Sequence, residues 1–488
     1  MKTSKLLMSV AALTASLSVG AQTSFDAAKL YEEELNGTAR YMGMAGAMSA
    51  LGSDPSVIGH NPAGIGTYRT SDLNASVSFF GTSTNTDPQY TAANQGLSNG
   101  IYYYSGNLKS DINMSLDNVS VVFSGYDGGD RYMNFGFSYH RLQNMDRTFD
   151  YLDKFFEPDK TDPTREYVVY RQYTESQRNK INAFDFNLSC NLSDMLYLGW
   201  TLGILSTDTW SESSFYDYYP SEDEVAIEDA AYLWEGYGGD RFEYTMVDKM
   251  NSSKGSGLNM AFGVIIRPVP GLRLGASVKT PTYFKQNIEY QDYLYAYEGT
   301  AQSEEPYSPT PNTDYKFTSP WKLNLSAGLT FGHTAIGAEY EKNFTQRSSL
   351  SVNNTKMLYQ GSNDYKDFST FRIGIEQNIG NLALRGGYSL SESMFKDNAY
   401  VNLSDSEFNN KYRMDWQNDR PGKTKYYTCG LGYCSEPDRD GTQFYFDLAY
   451  VHGVRSSVFN TNEPGATNID VNYNYNTDKV LFTVGWNF

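Results

Sequence analysis

The chain has 488 residues, a formal net charge of −18 and a pI near 4.7. An acidic balance of this size excludes a nucleic-acid backbone as partner, because that needs clustered Lys and Arg. The mean hydropathy is −0.54 and no apolar run of spanning-helix length follows the first twenty residues, yet 15% of the chain is aromatic with 41 Tyr; a membrane protein is not excluded, since transmembrane strands alternate apolar with polar residues and average to nothing.

Lys2 and Lys5 precede an apolar run from Leu6 to Val19, and Val19, Gly20 and Ala21 supply small residues ahead of a cut before Gln22. Residues 1–21 read as a secretory signal peptide, too short to span a bilayer. Removing Lys2 and Lys5 takes the charge from −18 to −20. The Cys residues are Cys190, Cys429 and Cys434; none lies near the cut, which argues against a lipid anchor. An odd separation sends Cys429 and Cys434 to opposite faces of a strand, so neither a disulfide nor a shared metal is expected there.

Residues 22–70 form a second region, dominated by YMGMAGAMSALGSDPSVIGHNPAGIG at 41–66, in which Asp54 is the one acid. A phosphate-binding loop would need a preceding strand, a following helix and a Lys-Ser/Thr pair, and lacks them. A membrane helix is interrupted by Gly52, Pro55 and Pro62. What remains is a compact, nearly uncharged insert suited to a lumen. Gly43, Gly46, Gly52 and Gly64 permit close backbone packing, and Asn61, Pro62 and Ala63 are expected to hold the insert in place.

From residue 71 onward the pattern has period two. RYMNFGFSYHR (131–141) sets Met133, Phe135, Phe137 and Tyr139 against Asn134, Gly136, Ser138 and His140; WKLNLSAGLTF (321–331) and the closing VLFTVGWNF (480–488) repeat it. Each stretch is a strand with one greasy face. Fourteen are expected, near 72–80, 116–124, 131–141, 181–193, 194–206, 256–267, 271–283, 320–332, 333–345, 367–379, 381–393, 424–435, 440–454 and 476–488. The connections alternate between long and short, with both termini on the short side, which is the mark of an outer-membrane barrel with its long loops facing outward. Between Thr207 and Lys254 one loop region carries twelve Asp or Glu against three Lys or Arg, read as a solvated outer surface. The fold class expected is an all-β, transmembrane, antiparallel up-and-down barrel of about fourteen strands, residues 71–488, with residues 22–70 as a plug inside the lumen.

Parity points Arg267, Arg273, Lys279, Arg372 and Arg385 inward, with Asp185, Glu339, Glu376 and Asp447 as partners. Such cations either fix a ligand carboxylate beside an apolar pocket or brace the plug against the wall. Gly136, in the middle of the third strand, either bends it or makes room for the plug. Ser138 and His140 share a face, as a nucleophile and base would, but a lumenal position beside a plug suits no lipid hydrolase, so no enzyme activity, catalytic residue, metal or cofactor is expected.

Asn36-Gly-Thr-Ala-Arg-Tyr-Met-Gly-Met-Ala-Gly-Ala-Met, then Asp54-Pro-Ser, then Asn61-Pro-Ala-Gly, just after a signal peptide, together with GLRLGASVKTP (271–281), SPWKLNLSAGLTFG (319–332) and the aromatic last strand, resemble the FadL-type outer-membrane transporters of long-chain fatty acids and other hydrophobic compounds. The resemblance implies a fourteen-stranded barrel closed by an N-terminal hatch. It implies passive uptake, in which an apolar ligand is caught near the outer side, the hatch rearranges, and the ligand leaves sideways near a kink in the third strand, placed here at Gly136. The expected partners are a hydrophobic small molecule, outer-membrane lipid, and the barrel-assembly machinery acting through the strand that ends in Phe488. The alternative is a porin-like or adhesive surface barrel without hydrophobic cargo.

Overall fold

A computed structural model describes residues 30, 32–86, 108–126, 131–158, 166–219, 243–298, 301–352, 355–356, 365–396, 419–460 and 470–488. The expected signal peptide, the GYDGGD turn beyond Tyr126 and residues 220–242 of the acidic 207–254 region lie outside these residues.

Fourteen strands form the wall: β1 (Asp72–Thr86), β2 (Asn113–Tyr126), β3 (Arg131–Pro158), β4 (Glu166–Leu192), β5 (Leu196–Tyr219), β6 (Glu243–Val269), β7 (Leu272–Lys279), β8 (Lys322–Phe331), β9 (Thr334–Asn343), β10 (Phe368–Ile379), β11 (Leu382–Ser391), β12 (Asp419–Cys434), β13 (Gln443–Asn460) and β14 (Asp470–Asn487). Each pairs antiparallel with the next, and β14 pairs back onto β1 from Asp72↔Asn487 to Thr86↔Tyr473, closing the cylinder. At the seam Ser71 and Phe488 exchange backbone hydrogen bonds of 2.9 Å. Closure follows from the solvent: hydrocarbon offers no partner for a strand edge, so a sheet that crosses it must bond to itself all round.

The pleat sorts the side chains as expected. Phe135, Phe137, Phe186, Leu325, Ile375 and Val480 are exposed on the outside, while Asn134, Ser138, Asn187, Asn324, Thr370 and Thr483 are buried within. Trp321, Tyr433 and Trp486 stay exposed near strand ends, where an amphipathic ring suits the headgroup level. Cys429 faces outward, and none of the three cysteines is in a disulfide. No described helix is long and apolar enough to cross a membrane; the crossing is made by strands, and the molecule is a multi-pass transmembrane β-barrel of the outer-membrane type. The tight turns use left-handed residues, Ser193 and Asp194 between β4 and β5, and Gly332 and Gly380 (φ +56° and +58°) after β8 and β10.

The strand assignments need correction in two respects. The strand expected at 271–283 stops at Lys279 and resumes as Tyr283–Glu298, which pairs with Ala301–Thr318 before β8 begins at Lys322. Pro281 and Pro320 sit side by side in these interruptions, each lacking the N–H a ladder needs. Ser319 N–H donates to the Thr282 carbonyl (3.0 Å) and Thr282 N–H to Ser319 Oγ (2.8 Å), bridging the break. The strands β3 to β6 also run well past their expected outer ends.

The outward band makes a direct prediction. Ile375→Arg, in the middle of the lipid face, should destabilise the folded barrel by about 2–4 kcal/mol, read from urea unfolding in lipid vesicles, whereas Ile375→Leu should leave the midpoint within error.

Candidate functional site

The N-terminal segment folds inside the cylinder through three caps. Thr38 caps a short helix, Ala39–Gly43, by accepting from Tyr41 N–H at 3.1 Å. Asp54 caps a 3-10 turn, Pro55–Gly59, through Ser56 N–H (2.9 Å), and Asn61 caps another, Pro62–Thr67, through Ala63 N–H (3.2 Å). The Asp-Pro-Ser and Asn-Pro-Ala sequences are therefore cap-plus-proline starts: the side chain satisfies an orphan N–H and the proline supplies none. Thr38 Oγ1 donates to Asp54 Oδ2 (2.6 Å), tying the first turn to the second. Gly46 and Gly52 take left-handed φ of +79° and +67°, and a Cβ on Gly64 would strike Val57.

Bonds from this segment reach the wall on every side. Ala39 N–H donates to Thr483 Oγ1 (2.7 Å), Ser49 N–H to Glu339 Oε1 (2.6 Å), Asn134 Nδ2 to the Ile65 carbonyl (2.7 Å), Asn187 Nδ2 to the Pro62 carbonyl (3.3 Å) and Thr428 Oγ1 to the Gly43 carbonyl (3.0 Å). Asn61 has two tasks, since its Nδ2 also reaches the Val264 carbonyl at 3.4 Å. The wall makes room with inward glycines: a Cβ on Gly374 or Gly387 would run into Met44, and one on Gly199 into Pro62 and Ala63.

Arg385 and Arg372 are paired with inward carboxylates. Arg385 holds Glu376 (2.6 Å) and Asp447 (2.5 Å), and Arg40 joins them by two bonds to Glu376 (2.9 and 3.0 Å). Burial opposes the Arg40 charge, but Glu376 outweighs it and holds the guanidinium above its ordinary pKa. Arg372 lies 3.5 Å from Glu339 and 3.3 Å from Glu341. Arg273 donates to the Leu51 carbonyl and its guanidinium sits 5.9 Å over the Tyr197 ring. Arg267 is half-buried at the short-turn end, its amide bonded to the Met195 carbonyl at 2.8 Å. Ser138 Oγ donates to Asn118 (3.1 Å) and His140 lies 3.3 Å from Asp185, so the serine and histidine do not bond to each other.

Lys279 belongs to a different arrangement, together with residues that the sequence reading did not single out. Lys322 faces it across the β7–β8 ladder, and between them lies Glu33, 3.1 Å from Lys279 Nζ and 2.8 Å from Lys322 Nζ. Burial pushes the Glu33 carboxyl up, but the two ammonium groups prevail and hold it well below the usual carboxylate range. Glu32 pairs with Arg455 at 2.9 Å. Beside this cluster is an apolar one, which includes Ile181, Leu205, Phe284, Ile288 and Phe317, with Leu30 buried in it.

The wall ladder parts between β2 and β3. The β2–β3 pairing runs from Tyr126↔Tyr132 only to Asn118↔His140, and β2 bulges at Asp117 against β1. At the same height β3 carries an extra residue, Leu142, between Arg141 and Gln143. Beyond it β3 turns into the lumen: Thr82 and Thr84 of β1 donate to its Asp146 and Thr148 carbonyls (2.8 and 3.1 Å), and Arg147 donates to Tyr473 of β14 (2.7 Å). The N-terminal segment takes the abandoned ladder sites. Glu34 N–H donates to the Leu142 carbonyl (3.0 Å), Asn144 N–H to Glu34 Oε2 (3.1 Å) and Asn36 Nδ2 to the Arg141 carbonyl (2.9 Å). Gly136 is not where β3 bends; its pairing is regular on both sides, and its missing Cβ leaves space for Ile58.

Cylinder and contents define a class: a transmembrane barrel whose lumen is occupied by its own N-terminal segment, with a local break in the wall. The fold is that of the FadL-type channels. It is shared over 93% of this chain and 99% of the other with a Pseudomonas aeruginosa FadL homologue, at a TM-score of 0.61 and 14% identity. It is shared over the same fractions with the Pseudomonas putida toluene transporter TodX, at a TM-score of 0.53 and 14% identity. No family model and no curated protein matches the chain.

The Arg40–Glu376–Arg385 cluster predicts how firmly the segment is held. Glu376→Gln removes one partner of buried charges and should cost about 3–5 kcal/mol, with faster hydrogen exchange in residues 38–53. Gly374→Val should raise exchange in the same residues, since its side chain needs the volume of the Met44 backbone.

Proposed function

We propose that this protein is a passive outer-membrane channel for hydrophobic small molecules, with residues 22–70 as its plug and the β2–β3 break as its side exit. The observation that carries the reading is the place where β3 leaves β2. Leu142 adjoins both that break and the buried apolar cluster, so an apolar molecule held in the cluster has a short path to hydrocarbon that avoids the periplasmic end. The plug below, bonded to the wall all round, favours such a sideways route over passage straight through. FadL-type and toluene-transporter barrels share the fold, which accords with hydrophobic cargo; they give no support to an enzyme.

Aliphatic acids such as long-chain fatty acids are the cargo we favour. Of the five inward cations read from the sequence, Lys279 is assigned the head-group role, joined by Lys322, because this pair alone borders the apolar cluster and is reached by a carboxylate that is not part of the wall. Arg372, Arg385 and Arg273 are assigned to bracing the wall and plug, and Arg267 to the short-turn rim. Gly43, Gly46, Gly52, Asn61, Pro62, Ala63 and Gly64 shape the plug.

Deleting Leu142 tests the exit. It removes the extra residue while preserving the Gln143↔Ile181 pairing, so β3 can return to the β2 ladder; uptake of radiolabelled dodecanoate into cells should fall about tenfold, roughly 1.4 kcal/mol in the barrier, with the folded fraction unchanged. Unaltered uptake would reject the side route. Removing residues 37–66 tests the plug, and should turn a closed barrel into a conducting one in a planar bilayer; unchanged conductance rejects that assignment. Native mass spectrometry of gently extracted protein separates the main reading from its rival: a bound apolar molecule favours the channel, whereas an empty barrel with steady ion conductance favours a porin.

A further inference from the structure

Residues 30–35 read LYEEEL. A run of three Glu near a chain terminus is ordinarily solvated, but here it lies in the lumen. Leu30 is only 3% exposed, among Ile181, Leu205, Phe284 and Phe317. The Glu33 carboxylate lies between Lys279 and Lys322, whose side chains are 13% and 11% exposed. An apolar side chain in the greasy cluster and a carboxylate on the adjoining lysines, three residues apart, reproduce the two ends of an amphiphilic acid.

The same segment separates two cavities. One is lined by Glu33, Tyr41, His60 and Arg372, and the other by Glu33, Ile181, Leu205 and Phe284. Glu32, Glu33 and Lys322 border both. Glu33 keeps 22% of its side chain exposed, so an incoming carboxylate can approach the lysines before Glu33 has left.

We propose that Leu30 and residues 32–35 act as an internal pseudo-ligand, with Leu30 filling the tail site and Glu33 the head-group site, and that an amphiphilic carboxylate binds by displacing both and joining the two cavities. The proposal rests on the hydrophobic-channel reading and adds how the site is kept closed and what opens it. Charge conservation supplies the selectivity. A lysine ammonium in a low-dielectric lumen is costly without an anion; Lys322 has Glu341 of the wall at 4.0 Å, but Glu33 is the carboxylate that reaches both lysines, so exchanging it for another carboxylate keeps that shared anion, whereas a neutral apolar molecule in its place removes it. A segment that occupies its own site also lowers apparent affinity by the fraction of molecules in which it has let go.

The test uses the full mature protein in lipid nanodiscs, with dodecanoate and 1-dodecanol as probes matched in tail and different in head. Glu33→Gln removes the competing charge; calorimetry should show dodecanoate binding about tenfold tighter than to wild type, equivalent to roughly 1.4 kcal/mol, and 1-dodecanol changed less than twofold. In the unaltered protein, where Glu33 keeps its charge, saturating dodecanoate should speed hydrogen exchange in residues 30–36. Dodecanoate binding that leaves this exchange unchanged or slower, or that is no tighter in Glu33→Gln, overturns the pseudo-ligand while leaving the channel reading intact. If neither probe binds either protein, the channel reading fails and the pseudo-ligand falls with it.

Discussion

The constraint on which this molecule depends is that a backbone N–H or carbonyl in hydrocarbon must find its partner within the protein. It forces β14 back onto β1, makes the wall a cylinder and leaves a lumen whose contents the sequence must specify. It also gives the β2–β3 break its significance. A ladder abandoned inside a membrane protein is costly unless something else takes the bonds, and here Glu34 and Asn36 do so at Arg141, Leu142 and Asn144. The N-terminal segment is thus a component of the wall as well as an occupant of its interior.

Charge obeys the same logic on the inner face. Fourteen strands with polar interiors enclose many ionisable groups, and an isolated one would be neutralised or expelled. Arg385 with Glu376 and Asp447, and Arg372 with Glu339 and Glu341, come mostly from neighbouring strands at matched heights. These pairs are fixed by the sheet register. Lys279 and Lys322 differ: they too face one another across a ladder, but both are cations, and like charges directly opposite destabilise a pair of strands. Lys322 has Glu341 of the wall at 4.0 Å, but the carboxylate shared by the two lysines, Glu33, arrives from a separate segment, which makes that contact exchangeable in principle where pairs within the wall are not.

Much of this was legible in the residues. Period-two alternation and the parity of loop lengths were enough for fourteen strands, because every lipid-facing position has to be apolar. The low charge and regular glycines of residues 41–66 pointed to a packed insert, and the two cap-plus-proline sequences turn out to have a local structural reason. Parity alone set Arg372 and Arg385 inward with Glu339, Glu376 and Asp447. Lys322 was already on the polar face of its strand, and its importance became visible only when the register set it opposite Lys279. What escaped notice has no local signature. The bulge at Leu142 is marked by neither Gly nor Pro, and Gly136, the residue type that commonly signals a bend, serves instead as space for Ile58. The three consecutive Glu at 32–34 look like any solvated run until Lys279, Lys322 and Arg455, between 246 and 423 positions away, are brought beside them.

Bond-making in one short stretch also links two events that could otherwise be independent. Glu32 and Glu33 bind cations on β13, β7 and β8, while Glu34 and Asn36 bind the backbone of β3. Adjacent residues in an extended chain lie only about 3.3–3.6 Å apart, so the two sets of contacts share almost no slack. A displacement of Glu33 by even one residue's length pulls Glu34 from Leu142 and exposes the unpaired backbone of β3 at the break. On the proposed mechanism, vacating the head-group site and loosening the wall are therefore one motion of one strand of chain, with Leu30 leaving the apolar cluster at its far end. In the channel proposed above, mechanical continuity of this kind is the means by which arrival of a molecule inside can be coupled to an opening at the side.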